Sequence, residues 1–398
     1  MKTSTANRLL LAASVLAFSA GAGHAQNLST STGAFGPLTL ADNETRVINL
    51  PADGRINATT IALGTGSKLS FVRNFANTPV YLLATGAVSI KGTVDVSGYD
   101  STNSSTPGLG GPGGYDGGRG TTASGANGWG LGPGGGKPGQ WLELEPAFQL
   151  SGVFSADQGT NTAKYGNSLL IPLIGGSGGG GGSGAGQAGA GGGGAVLLAS
   201  DVSILVDATT TTTAGLYAMG GLADHPSTGK NGGPGSGGGI RLLAPTISFS
   251  GNPWLRAFTR YQNSGRQPGR IRLDGLELTG VMGRLAQVVP PASIGRNMIA
   301  FPATLPKIEI ISAAGQTVDP AASTTVTVPP GGAAQQPVVV RVTNFGGAAQ
   351  LKVVLTPESG ARVEADLDIT NPGPGATTGT ANLAFPANQV SRIDVWTR

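Results

Sequence analysis

Three stretches of the chain repeat one arrangement of apolar and polar positions: LLATGAVSI from Leu82, LLASDVSI from Leu197 and LLAPTISF from Leu242. Each is Leu-Leu-Ala, two or three further residues, a β-branched residue, Ser and an apolar residue. In the first copy the alternation continues through Val88, Ile90, Gly92, Val94, Val96 and Gly98. That is a period of two, the period of a strand. A half-length echo follows in RIRLDGLELTG, Arg270 to Gly280, and RVINL, INATTIAL and KLSFV upstream carry short strand signals. Helical periodicity is nearly absent. Strands that cannot bury a face singly do so by stacking on copies of themselves roughly 4.8 Å apart. The pattern therefore predicts an all-β chain in which residues 34 to about 280 form a short β-solenoid, a β-helix-like stack, within a glycine-rich unit of residues 26–280.

The copies are 115 and then 45 residues apart, which places insertions at corresponding corners of the stack. These insertions are glycine tracts at 108–139, 175–194 and 220–239, and fourteen of the twenty residues in the second are glycine. Fixing a backbone costs roughly 1–2 kcal/mol per residue, with glycine at the expensive end, and glycine buries no side chain in return. Order in such a tract requires bonds to neighbouring chains. If the tracts leave one corner they lie side by side, and the expectation is a layered glycine sandwich of extended, polyproline-II-like strands bonded to one another.

With VYLLATGAVSIKGTVDVSG, YGNSLLIPLIGGSGGGGG and GSGGGIRLLAPTISFSG, the chain resembles a group of exported, glycine-rich β-solenoid proteins of Gram-negative bacteria, over about residues 55–280. The resemblance implies the fold and export; it implies no particular reaction.

Gln140 to Ile174, with Trp141, Phe148, Phe154 and Tyr165, reads as a loop that caps or leans on the stack. Residues 281–305, with Pro290, Pro291 and Pro302, read as a linker. From 306 to 398 the texture changes. KIEIIS, TTVTV, PVVVRVTN, QLKVVLT, RVEADLDI, TANLAF and SRIDVWT are seven short alternating segments separated by turn residues. That spacing predicts an immunoglobulin-like β-sandwich without a disulfide.

Residues 1–25 have the layout of a secretory signal peptide: Lys2 and Arg8, an apolar run from Leu9 to Ala20, and small residues before Gln26. Cleavage is expected after Ala25, with Ala22 as the second choice, giving a protein that is secreted or held at the cell surface or in the periplasm. No later run approaches the roughly 20 apolar residues of a transmembrane helix. There is no cysteine, so stability rests on packing and backbone hydrogen bonds. Without Lys2 and Arg8 the 25 basic residues become 23 against 21 acidic, a net charge of +2. This is too small for a polyanion-binding tail, and no nucleic-acid partner is expected.

Acid–base equipment is sparse. Beyond the signal segment the only histidine is His225, in the turn-rich GLADHPSTGKNGG, so neither a Ser-His-acid triad nor a zinc site of the usual type is expected. GGSGG at 175–179 and GPGSGG at 233–238 match nucleophile-elbow and dinucleotide patterns only as glycine-rich composition would, outside the strand-to-helix context. GGGKP at 134–138 lacks the flanking residues of a phosphate loop. GGYDGG around Asp116 is a single copy of a calcium-repeat pattern that works in tandem. No catalytic residue, cofactor or metal is assigned.

The sharper feature is WLRAFTRYQNSGRQPGRIR, Trp254 to Arg272. Arg256, Arg260, Arg266, Arg270 and Arg272, with Tyr261 among them, would on adjacent rungs present a basic face to carboxylate, sulfate or phosphate groups of an anionic glycan. The plainer alternative is an edge guarded by arginine against pairing. Trp129 and Trp141, like Tyr99 and Tyr115, could stack on sugar faces or cover glycine backbone.

The leading reading is an exported non-enzymatic surface or matrix protein in adhesion, glycan contact or envelope structure, its partner an acidic polysaccharide or cell-surface glycan. The alternative is a polysaccharide lyase or hydrolase using carboxylates such as Asp201, Asp207, Asp274 and Glu277 beside the arginines. An ice-binding array is a third reading, weakened because TTTTT at 209–213 is one local run rather than a ladder.

Overall fold

The computed structural model describes residues 27–103, 105–120, 128–137, 165–182, 187–211, 213–223, 232–259, 268–320, 324–328, 334–358, 360–370 and 373–397. Residues 1–25, read from sequence as a signal peptide, most of 140–174, read as a capping loop, and His225 lie outside these residues. The described chain is all-β, with one short 3-10 helix at Met282–Gln287, and holds no helix long and apolar enough to cross a membrane.

The first seventeen strands are β1 (Gly36–Leu40), β2 (Thr45–Asn49), β3 (Arg55–Leu63), β4 (Lys68–Val72), β5 (Val80–Ala84), β6 (Val88–Ile90), β7 (Thr93–Asp95), β8 (Ala195–Ser200), β9 (Ser203–Ala208), β10 (Gly215–Tyr217), β11 (Gly239–Leu243), β12 (Thr246–Gly251), β13 (Trp254–Arg256), β14 (Arg270–Asp274), β15 (Glu277–Thr279), β16 (Val288–Val289) and β17 (Ser293–Gly295). They pair in parallel. An 11-stranded sheet runs β15-β12-β9-β6-β3-β5-β8-β11-β14-β17 with β1 beside β3, and a 6-stranded sheet runs β16-β13-β10-β7-β4-β2.

Register stacks like on like. Ile56, Leu82, Leu198, Leu242 and Leu273 form one row; Ile61, Val88, Ile204, Ile247 and Leu278 form a second. Leu69, Val94, Leu216, Leu255 and Val288 form a third. All three feed one core cluster. Each fully buried aliphatic side chain in it contributes roughly 1.5–3 kcal/mol of transfer free energy, which is how strands of two or three residues persist.

The second copy of the repeat is offset from the alignment suggested by its letters. Leu198, not Leu197, occupies the row of Leu82 and Leu242, and Ile204 rather than Val202 stands opposite Val88. A shift of one residue exchanges the two faces of a strand. Both leucines are nonetheless buried, because the outer side of this part of the sheet is covered in turn: Leu83, Leu197 and Leu243 pack with Leu170, Leu173, Met298, Ala300 and Phe301. Segment 281–305, read from sequence as a linker, supplies β16, β17 and part of this cover.

The connections β7–β8, β10–β11 and β13–β14 all run from the smaller sheet to the larger, so the glycine tracts leave at one corner. Outside both sheets they bond to one another. Tyr115 N–H donates to Gly176 O (3.0 Å), Gly176 to Gly193 (2.7 Å), Gly193 to Ser236 (2.8 Å) and Ser236 to Ser177 (3.0 Å). A second walk runs Gly118 to Gly179 (2.8 Å), Gly179 to Ala190 (2.9 Å), Ala190 to Gly233 (3.0 Å) and Gly233 to Gly180 (2.7 Å). Glycine is demanded here by proximity: a Cβ at Gly179, Gly181 or Gly192 would stand closer than 3.0 Å to the backbone of the adjoining layer. The described glycines of the 175–194 tract are therefore ordered by what lies beside them.

The remaining strands are antiparallel: β18 (Lys307–Ala313), β19 (Gln316–Thr317), β20 (Gln335–Thr343), β21 (Ala348–Pro357), β22 (Val363–Thr370), β23 (Ala376–Ala384) and β24 (Ser391–Thr397). They form sheets β19-β18-β20-β23 and β22-β21-β24 around a second core. TTVTV, expected as a strand, is unpaired at 324–328; Val326 still packs on that core.

Candidate functional site

β10 and β13 are three-residue strands whose central leucines, Leu216 and Leu255, point into the core. Alternation turns Tyr217, Trp254 and Arg256 outward together. Tyr217 is in register with Arg256, and Gly215 with Trp254. No side chain at 215 stands between the two aromatic rings, whose centroids are 6.2 Å apart at 56°. The Arg256 guanidinium lies 3.3 Å from the Trp254 ring centroid and 5.9 Å from that of Phe258. Burial pulls its pKa down, opposed by Tyr217. Its Nε is buried without a hydrogen-bond partner, and no acidic side chain pairs with it among the described residues.

The phenol of Tyr217 donates to Thr213 O at 3.0 Å and is pushed up to about 12, chiefly by burial. Asp95 is opposite Tyr217 on the next strand, held by Lys68 at 2.8 Å. Burial works against its ionised form, but hydrogen bonds from Lys68 and Ser97 and the Lys68 charge outweigh this and keep its carboxyl below the ordinary range. The face thus carries a stacked cation on an aromatic platform, flanked by an internally neutralised pair.

The other expected residues fall elsewhere. Arg260, Tyr261, Arg266 and Trp141 lie outside the described residues. Arg270 begins β14 in the other parallel sheet, its guanidinium pulled down by burial. Arg272 is not on a basic surface. It and Arg241 clamp the fully buried Asp274, Arg272 through Oδ1 (2.7 and 3.0 Å) and Arg241 through Oδ2 (3.0 and 3.1 Å). Arg241 also donates to Asn297 O at 2.9 Å, and Asn297 N–H donates to Asp274. The three described arginines thus do not form one basic face: Arg256 is on the smaller sheet and Arg270 and Arg272 on the larger, where the segment after β17 covers Arg272 and turns it into an internal ion pair.

Trp129 faces the antiparallel sheets. The Arg362 guanidinium sits 5.5 Å from the Trp129 ring and 5.5 Å from the Trp396 ring, and donates to Gly132 O at 3.4 Å. Arg119 pairs with Glu358 across the same contact. Tyr115 is half-buried beside the glycine layers and its phenol is pushed well up, chiefly by desolvation; Tyr99 is exposed.

Of the carboxylates considered for catalysis, Asp201 accepts Ser29 N–H, Asp207 accepts Thr209, Asp274 is clamped and Glu277 stands exposed on β15. Ser177 of the GGSGG segment is a buried structural hub, bonded to Tyr165, Gly134 N–H and Ser236. No group of three His, Cys, Asp or Glu among the described residues is placed to hold a metal ion.

Sequence reasoning missed Tyr217 and Trp254, 37 residues apart in the chain. The signal available was the alternation LY and WLR flanking a core leucine in successive repeats. Comparison with protein-family models, curated proteins and solved structures finds no match to this chain.

Proposed function

We propose that this is an exported, non-enzymatic surface or matrix protein that contacts glycans, its parallel sheets acting as a short β-solenoid and its antiparallel sheets as an immunoglobulin-like sandwich. The observation that carries the reading is Arg256 stacked on Trp254 beside Tyr217, outward on a rigid sheet. Aromatic rings offer an apolar face to the C–H face of a sugar, and a planar guanidinium gives paired donors to a carboxylate or sulfate. The dispersed or clamped carboxylates favour binding over cleavage. Binding of the purified protein to a panel of acidic and neutral polysaccharides, with a parallel assay for new reducing ends and unsaturated products, tests this. Retention of acidic polysaccharide without product is expected; release of oligosaccharide would overturn it in favour of a lyase or hydrolase.

A further inference from the structure

The outward side chains of the smaller sheet form a straight row across four strands: Ser70, Asp95, Tyr217 and Arg256 are mutually in register. A second row beside it begins at Lys68 and ends at Trp254, through Thr93 and Gly215. Neighbouring strands are roughly 4.8 Å apart, so each row is about 14 Å from first to last strand. A sugar in a linear, equatorially linked chain advances by close to one such spacing. The rows also have a charge sequence. Lys68 and Asp95 cancel, and Arg256 at the far end is left with positive charge and no acidic partner among the described residues.

We propose that this face takes an internal stretch of a linear, uronate-containing glycan laid across the strands at one sugar per strand, with one uronate carboxylate on Arg256 and its ring on Trp254. The inference rests on the glycan-contact reading and adds direction, length and charge to it. Tyr217 supplies the platform for the adjoining sugar. Ser70 and the Lys68–Asp95 pair offer hydroxyl-binding groups beyond it. Because Arg256 is the single net charge, one carboxylate suffices, and the remaining sugars need not be acidic.

The test is calorimetric titration of the full mature chain with β-1,4-linked oligoglucuronates of increasing length, which are equatorially linked, with the carboxyl-reduced counterparts as the uncharged arm and a sulfated glycan as the second anionic arm. Affinity should rise with length and level off at about four or five units, as one sugar per strand over this row requires. Arg256→Gln should weaken binding about 10- to 100-fold, the value of a charge-assisted hydrogen-bond pair, and carboxyl reduction should cost the wild type a similar factor. Trp254→Ala should weaken both charged and reduced oligomers. Arg256→Gln changes a half-buried outward side chain that has no acidic partner among the described residues, so it remains informative if Trp254→Ala unfolds.

Binding that is independent of length, or unchanged in Arg256→Gln, would overturn the row while leaving glycan contact standing elsewhere on the molecule. Preference for the sulfated arm over uronate would overturn the assignment of the anion. Failure of every glycan to bind would remove both this inference and the reading beneath it.

Discussion

Gly192→Ala separates the two reasons a chain can carry glycine. At a position without left-handed φ, alanine ordinarily stabilises a protein by about 0.4–1 kcal/mol, because it restricts the unfolded chain. Gly192 has no such φ, but a Cβ there would meet the backbone of Gly176 and Ser177 closer than 3.0 Å. The Cβ would stand 2.0 Å from Gly176 O and 2.3 Å from Gly176 C, so restoring ordinary contact at about 3.5 Å parts the layers by roughly 1.2–1.5 Å. The bonds at risk are Gly192 N–H to Tyr115 O (2.8 Å), Gly111 N–H to Gly192 O (3.0 Å) and Gly176 N–H to Gly193 O (2.7 Å). Losing even two, at about 1–3 kcal/mol each, makes destabilisation on the order of 2–6 kcal/mol the expected outcome. Urea unfolding read by circular dichroism, with amide exchange across residues 175–194, measures it. Gly346→Ala is the control, since nothing lies within 4 Å of its Cβ position and it should change stability by no more than about 1 kcal/mol. A neutral or stabilising Gly192→Ala, or fast exchange throughout the tract in the wild type, would refute the layered arrangement.

Asp274→Asn leaves Arg241 and Arg272 buried without their counter-charge and should destabilise by roughly 3–5 kcal/mol, seen as a lowered urea midpoint; a change under about 1 kcal/mol would mean that water reaches the site. Arg362→Ala empties the space between Trp129 and Trp396, and limited proteolysis should then release the antiparallel sheets sooner; an unaltered cleavage rate would show that the cation contributes nothing to docking. Asp95 and Glu309 both sit below ordinary carboxylate values, burial being outweighed by Lys68 with Ser97 at the first and by Lys307 and Arg341 at the second. Their contribution is complete above the ordinary range near pH 4 and is lost as pH falls through the folded values. Tyr81 and Tyr217, both raised to about 12 chiefly by burial, act in the opposite sense. Their contribution is complete below about pH 10 and disappears by about 12, so thermal unfolding against pH should fall at both ends, and a flat alkaline limb would contradict the tyrosine burial.

Much of the architecture was legible in the chain. A period of two around repeated Leu-Leu-Ala segments determines parallel rows of like residues, because each copy has one face to bury and only its neighbours to bury it against. Glycine concentrated between those copies likewise determines close backbone layers, since no other residue lets chains approach so nearly. The alternation of KIEIIS and its successors gave the antiparallel strands, apart from TTVTV, whose Val326 packs on the core while its backbone joins neither sheet.

The tertiary structure decided what lies over each face. Leu197 and Leu198 are equally apolar letters, and the covering segments that bury the outer one hide the register of the second repeat. Arg272 and Arg256 have the same chemistry and both point away from the core. One is covered by the chain that follows β17 and is consumed by Asp274, while the other stays outward on Trp254. Alternation along a strand is a local property written residue by residue. The cover over a strand comes from segments far away in the chain, and so the candidate site became visible only when Tyr217 and Trp254 were brought onto neighbouring strands.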